Sequence, residues 1–163
     1  MNADAFRHFY NYHFAENRKI LDHVASLTFE QFTQKVDYSR GSIREQLVHL
    51  FDAEEMWFSE LRGIQPADPL PDTVEIDDRD AIRAFLDQVE KNSRAYLAEL
   101  QDDMLFTKPI KEPEDDQVLF AWQVLLHVAN HAADHRAQLL RALHDLGVDT
   151  KSQDYIFYVY ENQ

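Results

Sequence analysis

Cysteine is absent from these 163 residues. No disulfide can staple the fold, and cysteine nucleophiles and Cys-ligated zinc are excluded outright. Any thiol chemistry must come from a partner or cosubstrate. Lack of cysteine fits a cytoplasmic home, and Met1–Phe6 shows neither the basic start nor the apolar run of a secretory signal. Glycine and proline are scarce, three and five residues, and they fall mostly between long periodic stretches, a distribution that favours helices. No run of about 18 apolar residues exists, so no membrane span is expected. Basic residues are also short: 16 Lys and Arg face 30 Asp and Glu, for a formal charge of -14. Such a surface repels phosphate backbones and anionic membranes, so neither nucleic acid nor a membrane is an expected partner.

What is present describes one folded domain, residues 1–163. Apolar residues make up 45% and aromatics 12%, enough to bury a self-sufficient core in a chain of this length. Four long helices can be read from spacings of three and four residues. The first runs from about Ala5 to Leu27, with a short helical turn after it at Thr28–Phe32. The second follows Gly41, where Ser42 and Glu45 make a capping-box pattern, and stops at Gly63. Pro66, Pro69 and Pro71 forbid regular helix in 64–77, the longest connection, which is expected to cross the bundle. The third helix starts near Asp77 or Asp78 and carries Ile82, Phe85, Leu86, Val89, Tyr96, Leu97 and Leu100 on its buried face. Residues 103–117 form a loop or small hairpin. The fourth helix spans about Val118–Leu146 and ends at Gly147. The aromatic tail Asp154–Tyr160 is expected to pack across the bundle, since its exposure would invite aggregation. The predicted class is all-α: a four-helix bundle with a long crossover connection.

Three of the eight histidines stand in line on the fourth helix: His127, His131 and His135. Residues i and i+4 stack on one helix face, so two adjacent imidazoles can share an ion. Three in a straight stripe cannot, because the outer pair is roughly 12 Å apart. Spacing leaves His127/His131 and His131/His135 equally open. A further ligand must come from another helix, among His8, His13, His23 and His49. His49 sits mid-helix in the apolar stretch Leu47–Phe51 and is the donor expected to face inward. Asp52, one turn on, is a candidate to orient a ligand imidazole through its far nitrogen. The competing reading is a set of neutral histidines hydrogen-bonded to each other or to Asp. No HExxH motif occurs, which removes the usual helical zinc-protease arrangement. Arg136 projects into the apolar sector of the fourth helix and calls for a carboxylate or a stacked aromatic.

The segment Leu126–Leu139 resembles the last-helix motif of the DinB/YfiT-like family, N-H-x-x-x-H-R-x-Q, matched by Asn130, His131, His135, Arg136 and Gln138. His49 to Trp57 is similar to the family's second-helix element, and Asp154-Tyr-Ile-Phe-Tyr158 to its C-terminal one. The likeness extends over almost the whole chain. It implies a metal triad of His49, His131 and His135, with His127, Asn130, Gln138 and Asp52 as supporting neighbours. It implies one divalent ion, zinc or nickel, and a homodimer in which Arg136 is structural. Three neutral imidazoles leave coordination positions open, the pattern of catalytic rather than structural sites. Two activities follow from the resemblance: transfer of a low-molecular-weight thiol, which is preferred, or hydrolysis of a small substrate. A third reading is a metal-binding stress or interaction protein without turnover. A concave space of a few hundred cubic ångströms beside the histidines would favour an enzyme. Lys108, Lys111, Arg44 and Arg62 are the basic residues considered for an acidic thiol.

Overall fold

A computed structural model describes residues 1–70, 77–111 and 118–162, with the side chain of Lys111 left aside. Four long helices dominate: α1 (Ala3–Val24), α3 (Ile43–Arg62), α4 (Arg79–Glu99) and α5 (Ala121–Asp145). Two short helices, α2 (Phe29–Thr33) and α6 (Tyr155–Glu161), and a 3-10 turn (Met104–Phe106) complete the helical elements. The expected all-α class holds. The only strands among the described residues are two-residue pairs. In one, β1 (Lys35–Val36) meets β2 (Gly41–Ser42), and in the other β3 (Ile110–Lys111) meets β4 (Val118–Leu119), both antiparallel.

Local chemistry sets the boundaries. Asn2 caps α1 through the Ala5 N–H, and Asp78 caps α4 through that of Ala81. Thr28 with Gln31 and Ser42 with Glu45 form full capping boxes on α2 and α3. Gly63 ends α3 in the left-handed conformation, φ 67°, which a side chain would strain. The fourth long helix starts at Ala121 rather than Val118. Val118 and Leu119 are instead spent on pairing with β3.

Helix α1 packs on α4 and α5, and α3 packs on the same two, so α1 faces α3 across one diagonal. Leu47 and Leu86 share one apolar cluster with Ile20 and Leu139, while Phe58 and Leu97 share the other with Phe6 and Val124. α3 and α4 therefore run parallel, antiparallel to α1 and α5. Parallel neighbours demand a connection that returns the length of the bundle, roughly 30 Å for a 20-residue helix. The segment between α3 and α4 meets that demand as the expected crossover; its residues 71–76 lie outside the described residues. Asp52 pins it partway, accepting from the Leu70 N–H at 3.0 Å.

Between the two apolar clusters lies a polar layer. His13 donates from Nε2 to Glu54 at 2.9 Å, and Ser93 donates to the same carboxylate at 3.3 Å. Arg136, 2% exposed, donates to Asn17 at 2.9 Å, to His13 Nδ1 at 3.4 Å and to Gln153 at 2.9 Å. The tail departs from expectation. No residue of α6 is buried; Tyr155 and Tyr158 lean edge-on against Tyr12 and His8 of α1, while Ile156, Phe157 and Tyr160 remain exposed. A seven-residue helix has only one face to bury, and α1 takes it.

Candidate metal centre

His49 on α3 and His131 and His135 on α5 meet in the groove between those helices. Each offers a ring nitrogen, and these atoms lie within 4.8 Å of one another. The His131 and His135 Nε2 atoms are 3.0 Å apart. The His49 ring centroid lies 5.2 Å from that of His131 and 4.8 Å from that of His135. The competing pair His127/His131 is not the one that closes on His49. His127 turns outward, its ring edge-on to Trp57 at 5.1 Å and 5.9 Å from the His131 ring. α3 crosses α5 at the level of His131 and His135, and a stripe of three can meet a second helix at only one such level.

These donors suit a cation. Between two neutral rings only one proton can bridge facing Nε2 atoms, whereas an ion about 2.0–2.1 Å from each nitrogen uses both lone pairs. Cis ligands at that bond length sit roughly 3 Å apart. Burial disfavours the imidazolium at all three positions. It drives His131 down to about 4, helped by the neighbouring His135, His49 and His127. His49 and His135 are lowered as well, mainly by burial, with Arg40 adding to both and Asp134 opposing at His135. The lone pairs are therefore available at neutral pH. His135 Nδ1 is buried with no partner among the described residues, so only the Nε2 contact with His131 bears on its tautomer.

The supporting residues named from sequence are dispersed. Asp52 is committed to Leu70 and makes no bond to His49; burial raises its carboxyl pKa. Gln138 accepts from Gln46 at 2.9 Å and donates to Asp134 at 3.1 Å, tying α3 to α5 beyond the histidines. Asn130 lines a cavity on the α1 side of α5. Arg62 is engaged by Glu55, Ser59 and the Phe58 carbonyl, and Lys108 lies over the Phe120 ring at 4.8 Å. The cation that bears on the histidines is Arg40, which sequence reasoning missed. It precedes β2, is exposed and has no carboxylate partner among the described residues. Its backbone N–H donates to Gln46 Oε1 at 3.3 Å. Nothing in its sequence spacing could have flagged it, because a hairpin turn brings it to the site. One turn from His131 lies a cavity of about 240 Å³ lined by Trp57, Leu119, Gln123, Val124 and His127.

Fold and site together define a helical bundle whose parallel central pair is bridged by a crossover, with three imidazoles gathered in one groove that can hold a metal ion. The chain belongs to the DinB family, whose model matches residues 1–163. It is similar in structure to a DinB-like protein from Bacillus cereus ATCC 10987. The TM-score is 0.74 and identity 18%, over 93% of this chain and 97% of that one; at that identity the likeness concerns the fold. No curated protein matches the sequence.

Proposed function

We propose that this protein holds one divalent ion, zinc or nickel, on His49, His131 and His135 and uses it to transfer a low-molecular-weight thiol to a small electrophile. The observation that carries the reading is the convergence of three neutral imidazoles from two helices in a groove that also contains a cavity. A divalent ion with open coordination positions supplies the positive charge that lets a thiol ionise near neutral pH. The protein's own groups do the rest. Arg40 docks an acidic group of the thiol. The Trp57–His127 cavity holds the electrophile's apolar body. His127 takes up the proton that leaves the thiol as sulfur bonds to carbon and the leaving group departs. Exposed Ile156, Phe157 and Tyr160 on α6 support reading the chain as a homodimer, and a monomeric mass across dilution in light scattering would contradict that part.

Elemental analysis of untagged protein is the first test, beside His49→Ala. One ion per chain, lost in the variant, is expected. No ion even after incubation with zinc or nickel would remove the reading. Loaded protein should then consume glutathione or cysteine in the presence of 1-chloro-2,4-dinitrobenzene, and His131→Ala should not. Hydrolysis of 4-nitrophenyl acetate without thiol consumption would put the hydrolase reading in its place.

A further inference from the structure

A large cavity lies on the α1 side of α5, away from the three histidines. It occupies about 620 Å³ between α1 and α5, with Phe9, Tyr12, Leu126 and Tyr155 as its apolar walls and His13 and Arg136 among its lining. A smaller recess of about 380 Å³ continues past Tyr12 and Tyr155 and shares Arg136 and Ala133 with it. Both are of the size that encloses small molecules. The unusual element is the guanidinium. Arg136 is almost fully buried, yet its bonded partners are all neutral: Asn17, Gln153 and His13. No carboxylate lies within ion-pair distance of it among the described residues. Glu54 is reached through His13 and Asn17, and Glu16 pairs through Oε1 with Lys19 at 2.8 Å, its Oε2 buried with no partner among the described residues. Burial lowers the Arg136 pKa even so, with Tyr12 first and Glu16 and Glu54 after it only partly opposing the shift. A buried cation without a contacting anion is costly, and an anion brought to it recovers much of that cost.

We propose that the α1/α5 cavity is a second small-molecule site, selective for an organic carboxylate with an apolar, aromatic-sized body. The carboxylate sits against Arg136 and the body lies along Phe9, Leu126 and Tyr155, where ring edges and aliphatic carbon replace water. Tyr155 is carried by α6, none of whose residues is buried, and its ring stands edge-on to Phe9 and Tyr12 of α1 at the mouth of the cavity. His127 and Gln123 line both this cavity and the one beside the metal centre, but the anchoring charge lies on the far side of α5.

Isothermal titration of wild-type protein with 4-phenylbutyrate and with 4-phenylbutanamide tests the site. The acid is expected to bind at least tenfold more tightly than its neutral isostere. Ala133→Trp, at an exposed lining position, should weaken the acid at least tenfold and leave the helical circular dichroism and metal content unchanged. His131→Ala, which lacks the metal centre, should bind the acid as the wild type does. Equal affinity for acid and amide would overturn the carboxylate assignment. Loss of binding in His131→Ala with retention in Ala133→Trp would assign the acid to the metal centre instead. No heat with either compound at millimolar concentration would remove the site altogether.

Discussion

At the scale of single residues, the same side chain serves different ends according to which helix it meets. His127, His131 and His135 are chemically equivalent in the sequence, yet only the last two close on His49. His131→Ala should therefore abolish stoichiometric metal while the protein stays helical, and His127→Ala should leave metal content intact and lower turnover. Equal loss of metal from both would overturn the choice of ligands, read by elemental analysis. Glu54 offers a stability test at the same scale. Its carboxylate accepts from His13 and Ser93 in the polar layer. Glu54→Ala strands those donors in the interior and should cost about 3 kcal/mol in urea unfolding. A change below about 1 kcal/mol would mean that the layer contributes little. The motif residues were legible in the sequence, but the partners of His13 and Arg136 were not. Glu54 and Asn17 read as ordinary polar residues until two helices press them together.

At the scale of elements, the turn before α3 controls one edge of the site. Gly41 has φ 82°, and an added Cβ would run into the Glu45 carboxylate that closes the capping box. Gly41→Ala should lose about 1–2 kcal/mol through the left-handed backbone and the weakened cap. That corresponds to a fall of roughly 2–8 °C in Tm. It should also loosen Arg40, seen as a raised KM for an acidic thiol with kcat little changed. An unchanged melting curve would show that the turn relaxes freely. The capping box, Gly63 and the prolines marked these boundaries in advance, because caps act within a few residues. The β1–β2 hairpin escaped notice, as pairs of two residues carry no periodicity, while the β3–β4 pair falls where a small hairpin is one reading of 103–117.

At the scale of the whole molecule, proton and metal linkage act together. The three site imidazoles titrate below their ordinary value, so the unfolded chain binds more protons than the folded one at mildly acidic pH. The sign is fixed by that difference: metal-free protein is stable above about pH 6.5 and loses stability as the pH falls towards about 4. Metal bound to the neutral rings adds to this. At a free concentration one hundred times Kd it should contribute about 2.7 kcal/mol, roughly 5–10 °C in Tm. Chelation should reverse the gain without changing helix content, and a chelator-insensitive Tm at pH 7 would contradict the linkage. Among the described residues no helix is long and apolar enough to cross a membrane, in keeping with the absence of such a run in the sequence.

The helical class, the crossover and the imidazole motif were decided by sequence alone, through forces that act within one helix: periodicity, caps, and prolines that cannot donate. Tertiary structure decided what depends on two helices meeting. The level at which α3 crosses α5 selected two histidines of three. The β1–β2 turn delivered Arg40, and the α1/α5 seam left a buried guanidinium facing a cavity. Contacts between residues far apart in the chain are set by packing of whole helices, and no local spacing encodes them.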